Sequence, residues 1–391
     1  LNQAELFDWI EHAKMGWVSY RLPAVDRISI PAPRHFIEPE AQSNQPWRDD
    51  SRNGFVVAPF HQSAGPELWM NPVIEWQGQH PDAQTMQAVE EWLYPLEKQR
   101  ESETHTRFSR PSTYHDFCES VEQIKAILQP HDREGAIETS TNTKPIHKIV
   151  WSRTKSALLH PDAHPCLLFE ALCLAYPGSH IVLLQHPEYG TWVGCSPETL
   201  VEKNGDNIRS MALAGTRIPG NRDPWGHKEI REQRMVLEYL EDCFASKNIR
   251  STSNQTTTIK TGPVEHLVNQ IEGISSISCF EMAHILHPTP AVAGFPVKES
   301  VDYILAKEPH QRSLYSGYWG YIDKQGDGLI SVNLRCLQWQ KNHIVLYMGA
   351  GILADSIAAD EWMETSRKSK TLLNIIEQLN WISSPAEIQD L

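Results

Sequence analysis

The amino-acid sequence predicts an α+β fold: antiparallel or mixed sheet with helices packed outside it. Three observations carry this. Hairpin signals outnumber strand–helix–strand units, with turns at NGD (204–206) and QGDG (325–328) between apolar runs. Long helices are marked by one-sided apolar spacing, as in residues 114–129, where Phe117, Val121, Ile124 and Leu128 share a face. A doubly wound nucleotide fold lacks its signatures. No GxGxxG opens a helix after a strand, no GxxxxGK[ST] is present, and the GAG at 349–351 has no third glycine.

The elements follow in chain order. The N-terminal third reads as irregular. Residues 31–54 are rich in Pro and polar side chains and predict a long loop, and 83–102 suggest a helix interrupted near Pro95. After the helix at 114–129, a polar stretch (130–145) leads to HKIVWSR, a short strand. A helix at 166–176 is closed by Pro177-Gly178. Paired strands are expected at 180–185 and 190–194, and a hairpin joins 199–203 to 207–214. Residues 226–247 predict a charged amphipathic helix, 329–338 and 343–348 strands, and 357–379 the last helix. No repeat of 20–50 residues interrupts this order.

Composition bounds the function. Of 391 residues, 40% are hydrophobic and 21% charged, which is ample for a folded core and unlike a disordered chain. Lys and Arg number 35 against 49 Asp and Glu, a net charge of −14. Phosphate-backbone binding to nucleic acid and a polybasic membrane anchor both need the opposite balance. A small anion held by two or three placed cations remains open. No apolar run approaches the ~18–20 residues of a membrane span, and the first residues, LNQAELFDWIEHAK, do not read as a secretory signal. Seven cysteines, an odd number without a CxxC pair, predict reduced thiols and a cytoplasmic protein.

Five features can carry chemistry. In KEIREQRMV and DEWMETSRK, Glu229/Glu232 and Glu361/Glu364 stand at i, i+3, each pair on one helical face. Two such faces can converge on a hard cation such as Mg2+, or simply be solvated. Glu198 in GCSPETL, if desolvated, gains a raised pKa and can act as a general acid, or it caps nearby backbone. Lys148 in HKIVWSR is a base if burial depresses its pKa, or a guard on an edge strand. In ALAGTR, Gly215 permits close backbone approach and Thr216 adds a hydroxyl, or the segment is a tight turn. Arg335 in ISVNLRC can pair bidentately with a carboxylate near the Gly349–Gly351 amides, or form a surface ion pair.

Taken in order, HKIVWSR, CSPETL, LAGTR, KEIREQ, VEHL, HPTPAVAGFP, LYSGYWGYID, LRC, GAGI and EWMETSRK resemble the chorismate-utilising enzyme family over about residues 114–380. The resemblance implies one large domain (1–391), with a variable N-terminal part (1–110) and a chorismate-binding core (111–385). It implies two stacked, mainly antiparallel sheets surrounded by helices, and an Mg2+ site. It makes Lys148 the base that activates water and Glu198 the acid that protonates the leaving hydroxyl. Glu232 and Glu364 become direct metal ligands, with Glu229 and Glu361 behind them through water. Gly215 and Thr216 fall beside the ring carboxylate, and Arg335, Lys368, Tyr315 and the Gly351 amide around the enolpyruvyl carboxylate. His266 falls near the reacting ring. The helix motif usually reads Glu-His; here Gln233 follows Glu232.

Within the family, Lys148 and HPTPAVAGFP fit the branch that uses water and converts chorismate to isochorismate. Tyr315 and Leu334 also occur in sites that go on to expel pyruvate and form salicylate. The implied product feeds menaquinone, or else a catechol siderophore. A non-catalytic binding protein on the same scaffold would be expected to lack one of these groups. A monomer with no glutaminase subunit, no nucleic acid and no membrane partner is expected.

Overall fold

The computed structural model describes residues 3–12, 16–23, 34–38, 53–71, 74–78, 87, 112–128, 144–382 and 388–389. Helix α1 (Gln3–His12) precedes strands β1 (Gly16–Arg21), β2 (Arg34–Glu38), β3 (Gly54–Ala58), β4 (Leu68–Met70) and β5 (Ile74–Gln77). Helix α2 (Tyr114–Ile127) leads to β6 (Lys148–Leu158), α3 (Pro165–Ala175), β7 (His180–His186), β8 (Gly190–Ser196), β9 (Thr199–Asn204) and β10 (Asn207–Arg217). Then come α4 (His227–Ser246), β11 (Ser251–Ser253), β12 (Thr257–Thr261), β13 (Val264–Ile274), α5 (Cys279–Leu286), β14 (Gly294–Phe295) and α6 (Val297–Lys307). The chain closes with β15 (Tyr318–Ile322), β16 (Gly328–Val332), β17 (Cys336–Gln340), β18 (His343–Ile352), α7 (Ala358–Gln378) and β19 (Ile388–Gln389).

The strands form two antiparallel sheets. One runs β14-β6-β18-β17-β8-β7-β1-β2-β5, with β19 also on β6; the other runs β11-β13-β10-β9-β16-β15-β3-β4, with β12 on β13. Period-two alternation sends side chains into two different cores. In β7, Val182 and Leu184 face the second sheet, meeting Phe55 and Trp319, whereas Ile181 and Leu183 face α3 and α7. The second sheet likewise packs its outer face against α4 and α5 through Val236, Leu240, Met282 and Leu286. The α+β expectation with two stacked sheets therefore holds.

Several expected elements differ. The loop at 31–54 contains β2, which pairs with β1 and β5. The N-terminal third is not merely irregular: its strands complete both sheets, because exposed edges elsewhere supply partners that local pattern does not reveal. HKIVWSR belongs to an eleven-residue strand. The expected helix at 83–102 lies, apart from Gln87, outside the described residues, as does most of 130–145.

The most consequential difference is at 329–338, which is not one strand. It breaks at Asn333–Arg335 and passes from the second sheet into the first, with Arg335 at φ 48°. The chain makes a second such crossing at Pro197-Glu198, between β8 and β9. The two crossings lie side by side, tied by Val332 N–H to Glu198 O (3.1 Å) and Cys195 N–H to Arg335 O (3.0 Å).

Candidate active site

A pocket opens at these crossings. Its walls include Glu198, Leu334 and Arg335 from the crossings themselves, Leu213–Thr216 of β10, His266 of β13, and Tyr347, Gly349 and Gly351 of β18. Glu232 of α4, Lys368 of α7 and Tyr315, Ala291 and Val292 complete it. β18 turns every second residue toward the pocket, and two of those are glycine for a steric reason. A Cβ on Gly351 would lie 2.1 Å from Glu232 Oε1 and 2.9 Å from Lys148 Cε; one on Gly349 would lie 2.8 Å from Tyr315 Oη.

Lys148 is fully buried directly behind Gly351. Its Nζ stands 2.8 Å from Glu232 Oε1, an ion pair whose angle does not make a hydrogen bond, so its donor capacity is not spent on that contact. Glu198 is 3% exposed, and burial pushes its pKa up to about 8 against the pull of the Lys148 and Lys368 charges. It is a carboxylic acid that keeps its proton at neutral pH.

Arg335 is 8% exposed and buried without a carboxylate: among the described residues it forms no salt bridge. It donates instead to Thr371 Oγ1 (2.7 Å) and to His266 Nε2 (3.1 Å). The bulge at Ala214/Thr216, with Gly215 at φ 68°, turns the Gly215 carbonyl onto His266 Nδ1 at 2.9 Å. The carbonyl can only accept, so Nδ1 carries the hydrogen and Nε2 accepts from Arg335. Burial, then the Arg335 and Lys368 charges, hold the imidazole pKa down at about 3. His266 is therefore neutral, and the guanidinium has no carboxylate in direct contact among the described residues, with Glu364 acting on it only at longer range.

The profile of the chorismate binding enzyme family matches residues 68–377. The chain belongs to this family. Isochorismate synthase EntC of Escherichia coli strain K12 is 30% identical over 248 residues, 60% of this chain and 63% of that protein. Isochorismate synthase MenF of Bacillus subtilis is 28% identical over 280 residues, 67% of this chain and 59% of that protein. The chain thus matches about three-fifths of the length of these curated relatives. The solved structure of MenF, the menaquinone-specific isochorismate synthase from Escherichia coli, superposes with a TM-score of 0.71 at 18% identity, covering 94% of this chain and 90% of that one. That likeness establishes the shared fold.

On this chorismate-binding scaffold, the carboxylates read from the sequence do not all meet. The Lys228 ammonium bonds Glu361 directly and also feels the charges of Glu232 and Glu364. Burial opposes the charge on Lys228, but Glu361, Glu232 and Glu364 together outweigh it. Burial, opposed by Lys228, lifts Glu361 to about 7. Glu364 is pushed up by burial but held below the usual carboxylate range by Lys368, at 2.7 Å, and Lys228. Glu229 sits apart, its Cβ close to Gly215 and its Oε2 to Gly226. Lys368 also donates to Gly349 O at 3.0 Å.

This cluster fits a hard divalent cation in its chemistry. Its donors are all oxygen, Gly351 clears space for Glu232, and its carboxylates already act on one cation, the Lys228 ammonium. Among the described residues no three carboxylates, histidines or cysteines stand close enough together to grip a metal as they are placed. Binding would draw Glu232 and Glu364 together away from their lysines.

Lys228 was not singled out from sequence, although Lys228 and Glu232 stand at i, i+4 and so share a helical face. Val150, Pro197, Leu213 and Tyr347 also line the pocket and had no polar signal to mark them.

Proposed function

We propose that the protein is an isochorismate synthase, interconverting chorismate and isochorismate. The observation that carries this is that the buried Glu198 and the Arg335 guanidinium line one pocket, with Lys148 buried directly behind its Gly351 wall. A proton donor and an anion anchor in one pocket, with a candidate base behind its wall, suit exchange of a hydroxyl on an anionic ring.

In this reading, Arg335, with Tyr315, Lys368 and the Gly351 amide, holds the enolpyruvyl carboxylate. Gly215 and Thr216 face the ring carboxylate, and His266 keeps Arg335 in place while staying neutral beside the ring. Lys148 removes a proton from the water that attacks ring carbon 2. Glu198 gives its proton to the hydroxyl leaving carbon 4, which departs as water while the ring double bonds shift. Substrate and product are close in energy, so the reaction runs both ways. Glu232 and Glu364 would hold Mg2+, with Glu229 and Glu361 behind them through water; the ion supplies charge that binds and orients the ring carboxylate. The relatives' names support roles in menaquinone or siderophore formation. No glutaminase is required, and a monomer suffices because one chain supplies every group. No helix among the described residues is long and apolar enough to cross a membrane, and we place the enzyme in the cytoplasm.

The test is chromatography of products after incubation with chorismate and Mg2+. Isochorismate without pyruvate is expected. Stoichiometric pyruvate would make the protein a salicylate synthase, and no conversion would leave a binding protein.

Two variants probe the binding groups. Glu364→Ala should abolish Mg2+-dependent turnover while circular dichroism shows the fold intact; near wild-type activity at low Mg2+ would remove Glu364 from the metal site. Arg335→Lys should raise KM for chorismate by on the order of tenfold or more, because an ammonium cannot reproduce the planar fork that spans Thr371, His266 and an anion. An unchanged KM would take Arg335 out of the substrate contact.

A further inference from the structure

β6 carries Lys148 at its first residue, and one edge of that strand is only patchily covered. β14 is two residues long and pairs with Lys148 and Ile149 alone. β19 pairs with Ser156 and Ala157 at the other end. Between them, the backbone groups of Val150 and Ser152 face an edge with no strand among the described residues, where buried N–H and C=O groups are costly if unmet.

Side chains fill the gap. Glu308 Oε2 accepts the Ser152 N–H at 3.0 Å. Arg312 donates one nitrogen to Val150 O at 2.7 Å and another to Val292 O at 2.8 Å. The two residues are themselves joined in a bidentate pair, Nε to Oε1 at 2.7 Å and Nη2 to Oε2 at 2.8 Å, with both side chains at most 3% exposed. Val150 N–H meets Ala293 O at 3.0 Å, so the loop bearing Ala291 and Val292 is fastened to β6 by the same guanidinium. The ion pair replaces a missing length of strand.

We infer that Glu308 and Arg312 are positioning residues that fix Lys148 and the Ala291–Val292 wall relative to each other. This rests on the function proposed above. Neither residue lines the pocket; their effect passes through Val150 of β6, two residues from Lys148, and through Val292, whose carbonyls Arg312 holds. Displacing a base by about 1 Å can cost on the order of 10²-fold in rate without removing a substrate contact.

The experiment compares Arg312→Lys and Glu308→Gln with wild type, reading kcat and KM for chorismate and hydrogen exchange of the 148–153 segment. Lysine keeps the charge but cannot reach two carbonyls and a carboxylate at once; glutamine keeps one acceptor but loses the ion pair. In either folded variant, kcat should fall roughly 10–10²-fold with KM within about twofold of wild type, and exchange in 148–153 should quicken selectively. An unchanged kcat, a change confined to KM, or unaltered exchange would overturn the inference. So would failure of both variants to fold, which would make the pair scaffold alone. A wild-type protein inactive on chorismate would instead overturn the functional reading, and the exchange measurement would still decide whether the pair orders the strand.

Discussion

Lys148→Ala should lower kcat by at least about 10²-fold, within the 10²–10⁴ range typical of a general base, while chorismate and Mg2+ still bind. Lys148 Nζ lies 2.8 Å from Glu232 Oε1 and forms no hydrogen bond among the described residues, so its loss removes the candidate base together with one ion pair. Gly351 and Glu232 keep the pocket's shape around it. Combined with Glu198→Gln, the loss should be far less than the product of the single losses, because base and acid serve one event. Steady-state kinetics with isochorismate quantified by chromatography checks this. A Lys148→Ala enzyme working at the wild-type rate would overturn the mechanism and the choice of the water-using branch.

Glu198→Gln should be nearly as damaging to kcat, again by about 10² or more, yet it should make the protein more resistant to heat at alkaline pH. The folded carboxyl titrates near 8, far above its ordinary value of 4.5. Its contribution to stability is therefore complete below about 4.5. It is lost progressively as pH rises toward 8, because over that span the unfolded chain releases a proton that the folded one retains. Glutamine has no proton to retain. The Tm advantage of Glu198→Gln over wild type should grow from pH 5 to pH 8 and then level off. The same titration predicts that wild-type activity falls as pH rises through about 8, where the acid loses its proton. A Tm difference flat across this range would mean that Glu198 is ionised in the folded protein.

Much of the fold was legible because strong periodicity and turn chemistry are local. The helices at 114–129, 226–247 and 357–379 and the NGD hairpin fall where their patterns put them. The strand at 329–338 was misread for a physical reason. Its residues are buried almost throughout, first in one sheet and then in the other, and nothing local marks the change of partner. Arg335 in a left-handed conformation is the break, and a non-glycine residue there gives no compositional hint. For the site, the spacing of charged residues brought the four helical glutamates, Glu229, Glu232, Glu361 and Glu364, to notice, and the resemblance supplied their partners. Lys228 and the Glu308–Arg312 pair escaped because a lysine or an i, i+4 ion pair reads, in one dimension, as an ordinary solvated surface.

The two crossings between sheets have a mechanical meaning. Glu198 and Arg335 ride on the joints of the sandwich, and each joint is anchored to the other through a backbone hydrogen bond. Any slippage of one sheet over its neighbour shifts both residues at once, so the alignment of the proton donor with the anion anchor is a property of the whole sandwich. Gly194 shows how finely that seam is cut: a single methyl there would press 2.3 Å from the Trp319 ring, the side chain wedged between the two layers. Shape changes on an outer helix that carries no pocket residue, such as α3, can be absorbed locally, whereas a change in the spacing of the two layers is delivered straight to the chemistry.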